Sequence, residues 1–154
     1  MTSEMTPDRA AFEKLEVGVP VGPTVRLLDA ETVRRYADSL GTGNPWFVKD
    51  SPFGGPIVPP CILENIAADL GNRALSQLET KGGGLFAGIE VEYLKPVPVG
   101  TTVTVLGRVA DKYIRRDKYY LVTEFHVQDE AGTEVMTGRV LQARLPSPEQ
   151  ARWQ

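Results

Sequence analysis

The stretch that most constrains this chain runs from Gly41 to Gly71, GTGNPWFVKDSPFGGPIVPPCILENIAADLG. Its first half is a Gly- and Pro-rich loop in which neither helix nor strand can propagate. Its second half is an apolar helix predicted to start near Pro59–Pro60, because Pro fits the first helical turn, where its missing N–H has no partner to lose. Ile62, Leu63, Ile66, Ala67 and Leu70 recur at helical spacing, and Gly71 is a candidate C-cap. Asp69 is the only acidic residue in the second half of that helix, so most of its surface is expected to be buried. A long ordered loop feeding a buried helix sets a ligand site against a rigid scaffold.

Upstream, Met1 to about Ala10 is polar and expected to be mobile, and Phe12 and Leu15 can pack a turn onto the body. Val17–Pro23 is extended or loop, and Thr24–Leu28 is a short strand candidate. Asp29 is a good N-cap for a helix with Val33, Tyr36, Ala37 and Leu40 on one face, closed by Gly41. Arg34, Arg35 and Asp38 then face water.

Downstream, Asn72–Gly84 is a polar connection ending in GGG. The period then changes from helical to alternating, with Ile89, Val91 and Tyr93 interleaved by Glu90 and Glu92, as in a half-buried strand. Pro96, Pro98 and Gly100 break it, and Thr101–Asp111 alternates again. Lys112–Lys118 is a basic turn. Tyr119–Gln128 is a third strand with Leu121, Thr123, Phe125 and Val127 on one face. Asp129–Gly132 is a hairpin turn, and Glu134–Leu145 a fourth strand. Two helices followed by antiparallel strands make an α+β domain over residues 11–145, between a flexible N-terminus (1–10) and a polar tail (146–154). A sheet of four or five strands buries one long helix on one face. The other face, with Glu90, Glu92, Glu124 and His126, is expected to be wet.

Composition removes several classes of function. A length of 154 residues fits one domain. A net charge of −3 argues against nucleic acid as the main partner. No apolar run approaches the length of a membrane span, and MTSEMTPDRA lacks the apolar core of a signal peptide, so a cytoplasmic protein is expected. One cysteine excludes an internal disulfide, and one histidine beside it makes a transition-metal site unexpected.

The order of motifs resembles a known family: a helix, a GxxNP loop, FGGPIVPP, a central helix, EVEYLKPVPVGTTVTVLGRV, and a hairpin around DEAGTEVMTGR. It is similar to the MaoC-like hydratases and dehydratases, and most to the branch described as FAS1-like or N-terminal MaoC dehydratases, over roughly Phe12 to Arg144. That resemblance implies a hotdog fold, a curved antiparallel sheet wrapped around the central helix and paired as a double hotdog. It implies a 2-enoyl or 3-hydroxyacyl thioester substrate on coenzyme A or acyl carrier protein, with no other cofactor. The partner would be a second copy or a different hotdog subunit. The backbone N–H at the start of the central helix would polarise the thioester carbonyl.

Active members resemble the pattern G-D-x-N-P-x-H in the loop, where Asp and His handle water and the proton at the alpha carbon. Here the matching residues are Gly41-Thr42-Gly43-Asn44-Pro45-Trp46-Phe47. Thr42 and Phe47 stand in the two proton-handling positions, and neither exchanges a proton at neutral pH. The remaining acid/base candidates are Glu64, on the central helix, and Asp50, in the loop. A related hotdog family carries a catalytic Glu that aligns with Asn65, one position and about 100° away from Glu64. Glu64 is otherwise a structural carboxylate, and Asp50 a turn cap.

Thr42, Asn44, Trp46, Phe47, Phe53, Gly54, Gly55, Ile57 and Cys61 are candidates to line the substrate pocket. The aromatics among them can equally anchor the loop, and Cys61 can be a small packing residue. His126 is expected to face solvent. Lys112, Arg115, Arg116 and Lys118 can meet the phosphates of coenzyme A or a carrier protein, or can be an ordinary hairpin end. Four functions follow: a hydratase or dehydratase acting alone, the dyad-less half of a heteromeric one, a hotdog thioesterase, and a cyclase or other biosynthetic enzyme using the pocket for shape.

Overall fold

A computed structural model describes residues 7–76 and 84–144 of the chain. The elements are α1 (Pro7–Lys14), β1 (Pro20–Leu28), α2 (Ala30–Ser39), a 3-10 turn (Pro45–Phe47), α3 (Cys61–Ser76), β2 (Gly84–Tyr93), β3 (Thr101–Arg115), β4 (Lys118–Gln128) and β5 (Glu134–Arg144). The strands form one sheet in the order β1-β3-β4-β5-β2, every pair antiparallel. α3 packs across one face and contacts all five strands. This is the hotdog arrangement expected from the sequence.

Strand alternation decides which face meets the helix. Tyr119, Leu121, Thr123, Phe125 and Val127 of β4 are buried, and Glu124 and His126 between them point the other way. On that outer face Glu124 accepts from Arg108 at 2.8 Å and from Arg139 at 2.5 Å. Those two hydrogen bonds hold its carboxyl below the usual carboxylate range. His126 Nδ1 lies 2.6 Å from Glu134. Asp29 caps α2 by accepting from the Thr32 N–H at 2.8 Å, as its position suggested.

Several boundaries differ from those expected. α3 does not stop at Gly71 but continues to Ser76. Gly71 is there because a Cβ would overlap the carboxamide of Gln142, which is buried on β5. β1 starts at Pro20 rather than Thr24, and the N-terminal turn is a helix beginning at Pro7. Leu40 is the α2 C-cap and is exposed. The expected basic turn Lys112–Lys118 is mostly strand: β3 runs to Arg115, and only Arg116 and Asp117 turn, both at positive φ as a tight hairpin requires. The polar tail, the first six residues and the GGG segment lie outside the described residues.

Two glycines admit a neighbour that a Cβ would strike. At Gly138 a Cβ would strike the Glu90 carbonyl oxygen of β2 and the Phe125 ring of β4. At Gly71 the obstacle is the end of a side chain, and alanine also favours the helix by about 1 kcal/mol. Gly138→Ala is therefore expected to destabilise the fold by about 2 kcal/mol, and Gly71→Ala by clearly less. Urea unfolding of both variants checks the order.

Candidate functional site

The loop between α2 and α3 is built by its own short polar side chains. Asn44 Oδ1 accepts from the Trp46 N–H at 3.1 Å and starts the 3-10 turn. Thr42 Oγ1 accepts from the Asn44 N–H at 3.3 Å. Phe47 is half-buried and packs against the core. Asp50, exposed, accepts from its neighbour's Ser51 N–H at 2.9 Å. Ser51 Oγ donates to the Gly55 carbonyl at 2.5 Å. Gly54 and Gly55 have φ of +85° and +133°, and nothing lies within 4 Å of a Cβ at either. Their backbone angles, not crowding, demand glycine.

The loop is then stitched to the β2–β3 connection. The Val58 N–H donates to the Val97 carbonyl at 2.7 Å and the Val99 N–H to the Pro56 carbonyl at 3.0 Å, while the Ile57 N–H donates within the loop to the Trp46 carbonyl at 2.8 Å. Trp46 and Phe53 meet edge to face, with ring centroids 6.1 Å apart. Together with Ile57, Pro60, Leu63 and Tyr93 they line an apolar groove of about 320 Å³. A second compartment of about 490 Å³ adjoins it past Phe53 and Lys95, bounded by Val135 and the hairpin from Asp129 to Ala131.

The groove runs along the start of α3. The first backbone bonds there are Ile62 N–H to Pro59 and Leu63 N–H to Pro60. The Cys61 N–H, one residue earlier, has no backbone acceptor among the described residues. It is a donor at the positive end of a 16-residue helix, suited to a carbonyl oxygen.

Glu64 is half-buried and turned toward β2, where the Tyr93 hydroxyl donates to its carboxylate. Asn65, exposed, turns toward α2 and donates to the Tyr36 hydroxyl at 2.9 Å. Cys61 sits beside the Tyr36 hydroxyl and helps raise its pKa. Burial lifts both phenols well above the ordinary range. Cys61 adds to it at Tyr36, and the Glu64 bond and charge add to it at Tyr93. Both therefore stay protonated and can donate. Neither tyrosine stood out in the sequence, because each occupies an apolar position of its own element, and only the start of α3 brings them together.

The basic residues do not converge on this groove within the chain. Lys112 donates to the Phe12 and Glu13 carbonyls at 2.8 and 2.9 Å, ending α1. Arg115, Arg116 and Lys118 form the far tip of the β3–β4 hairpin. That tip adjoins the pair Tyr119–Arg144, whereas the groove adjoins the end near Val127–Met136. Eight residues of strand separate the two, roughly 27 Å. Among the described residues no cluster of His, Cys, Asp and Glu could hold a metal ion. No described helix is long and apolar enough to cross a membrane.

Residues 16–138 match the profile of the FAS1-like dehydratase domain region. The chain belongs to this family. Its fold is shared with the (R)-hydratase from A. caviae involved in PHA biosynthesis, with a TM-score of 0.70 at 24% identity over 88% of this chain and 99% of that one. The ChsH1–ChsH2 complex from Mycobacterium tuberculosis gives 0.71 at 13% identity, covering 93% and 98%. The HadBC complex, a 3R-hydroxyacyl-ACP dehydratase from the same organism, gives 0.67 at 15% identity, covering 82% and 96%. No curated protein sequence matches. Within Gly41–Phe47, Asn44 and Pro45 form the turn, and neither Thr42 nor Phe47 carries a side chain that titrates near neutral pH.

The two phenols carry a pH signature. The unfolded chain releases a tyrosine proton near pH 10, while the folded chain holds those of Tyr36 and Tyr93. Their contribution to stability is complete below about pH 10 and is lost as pH rises above it. Glu64→Gln removes the carboxylate beside Tyr93, so its phenol should titrate at lower pH. Ultraviolet titration of the folded variant against the parent checks the direction.

Proposed function

We propose that the chain is one hotdog subunit of an acyl-thioester hydratase/dehydratase, shaping the acyl groove while a second hotdog subunit supplies the Asp/His pair. The observation that carries this is the Gly41–Phe47 loop. Its turn is held by Thr42 and Asn44, yet Thr42 and Phe47 have no proton to exchange at neutral pH. The reaction needs one group to take a proton from water as its oxygen adds to the beta carbon, and one to deliver a proton to the alpha carbon. The Cys61 N–H would hold the thioester oxygen as charge develops on it.

Family membership supports the reaction class. Two of the similar structures, HadBC and ChsH1–ChsH2, are two-subunit complexes. The edge strand β2 supports a partner. It ends at Tyr93 beside the groove and pairs only with β5 among the described residues, leaving a row of open backbone groups. The substrate would be carried on coenzyme A or a carrier protein in the cytoplasm, with no further cofactor.

A second reading has its own observation. Glu64, held by Tyr93 at the start of α3, is a carboxylate next to the groove and could replace the missing pair. Asp50 is the weaker candidate, since its carboxylate is spent on its own turn.

The test is hydration of a panel of 2-enoyl-coenzyme A substrates by the chain alone, and by the chain mixed with a hotdog subunit bearing intact G-D-x-N-P-x-H. Turnover is expected only in the mixture. Turnover by the chain alone would move the chemistry to Glu64, and Glu64→Gln should then lower kcat by about 10²–10⁴ with little change in KM. Release of free thiol without hydration would point instead to a thioesterase.

A further inference from the structure

Lys95 lies two residues past the end of β2 and stands where the two compartments of the groove meet. Its backbone is fixed. The Leu94 and Lys95 N–H groups both donate to the Val135 carbonyl, at 2.9 and 3.3 Å. Pro96 and Pro98 flank the buried Val97, whose carbonyl takes the Val58 N–H. The side chain is free by contrast. Among the described residues the Lys95 ammonium has no hydrogen-bond or ion-pair partner, and it is the only cation lining either compartment.

The charges on the walls differ between the compartments. In the smaller, apolar one Lys95 is the only charged lining residue. The larger also has Asp129 and Glu130. Their carboxylates are occupied: Asp129 accepts from the Ala131 and Thr133 N–H groups at 3.0 and 2.9 Å, and Glu130 from the Thr102 N–H at 2.7 Å. They repel an anion from that side. A negative group is therefore favoured on the Lys95 side of the smaller compartment, away from the Glu64 carboxylate that Tyr93 holds at the start of α3.

We infer that Lys95 is the anion-binding residue of the groove, holding a negatively charged group of the bound thioester. This rests on the acyl-thioester reading above and replaces the β3–β4 hairpin as the cation within this chain that meets the ligand. The negative group has two chemical sources, a phosphate of the carrier or a carboxylate on the acyl chain. Either fixes the ligand's direction along the groove, because the acidic hairpin closes the other way.

Binding measured by Trp46 fluorescence or calorimetry separates these. The probes are hexanoyl-coenzyme A, the hexanoyl thioester of N-acetylcysteamine, which lacks phosphate, and the adipoyl thioester of N-acetylcysteamine, which has an acyl carboxylate and no phosphate. They are applied to the parent, Lys95→Gln, Lys95→Arg and the double variant Arg115→Gln/Arg116→Gln, each alone and with the partner subunit. Lys95→Gln should weaken a charged probe about tenfold or more, leave the hexanoyl N-acetylcysteamine thioester unchanged, and be largely rescued by Lys95→Arg. A loss confined to hexanoyl-coenzyme A assigns a carrier phosphate, and one confined to the adipoyl probe assigns an acyl carboxylate. Binding unaffected by Lys95→Gln, or lost instead in the hairpin variant, overturns the inference while leaving the thioester reading intact. No binding of any probe by the parent, alone or paired, overturns both.

Discussion

Leu63, Ala67, Leu70 and Ala74 of α3 are sealed against inward side chains of the sheet, among them Val105, Val109, Leu121, Phe125 and Val140. Each large apolar side chain buried there contributes on the order of 2 kcal/mol. Among the described residues no other long helix covers that face of the sheet, so the contact cannot be surrendered piecemeal. It also fixes the helix's rotation. With that stripe committed to the strands, Glu64 is directed to the β2 edge and Asn65 to α2, which is why the two neighbouring polar residues find different tyrosines.

The same contact explains why the groove lies where it does. α3 begins at the end of the sheet where β2 ends and the β2–β3 connection turns back. The loop before α3 must cross that connection, and it does so through the Val58–Val97 and Val99–Pro56 bonds. Trp46 and Phe53 are left over the opening with much of their surface exposed, at 41% and 57%. An apolar groove, an open helix N–H and an unpaired strand edge meet in one place because one helix is anchored to one sheet.

How much of this was legible in the sequence depended on whether one interaction or two decided a residue. β4 was legible because burial alone sets its alternation, and Asp29 because a cap is local. Gly71 misled because its role is to admit Gln142 from a strand about seventy positions away, which no local rule detects. The basic turn misled because the β3–β4 register shifts between Val109 and Asp111. That shift sets Lys112 opposite the buried Leu121, on the side of α1, and lets β3 run on to Arg115. At the site, the loop aromatics and Glu64 were visible as residue types in a suggestive place. The link from Tyr93 to Glu64 was not, since it joins a strand end to a helix start through tertiary packing alone.

The Gly41–Phe47 loop holds its turn with Thr42 and Phe47 in these positions. Phe47 adds apolar surface to the core where a histidine would have brought a polar ring, and Thr42 serves the turn with one hydroxyl. On the reading proposed above, the loop keeps its shape without a proton-handling pair because Asn44 and Pro45 form the 3-10 turn. What such a subunit must keep is the groove and the means to orient what lies in it. The apolar walls, the helix N–H and the backbone that carries Lys95 are held by contacts that involve neither the Thr42 nor the Phe47 side chain. On that reading binding and proton transfer are separable, and the open edge of β2 is where a second subunit would enter to rejoin them.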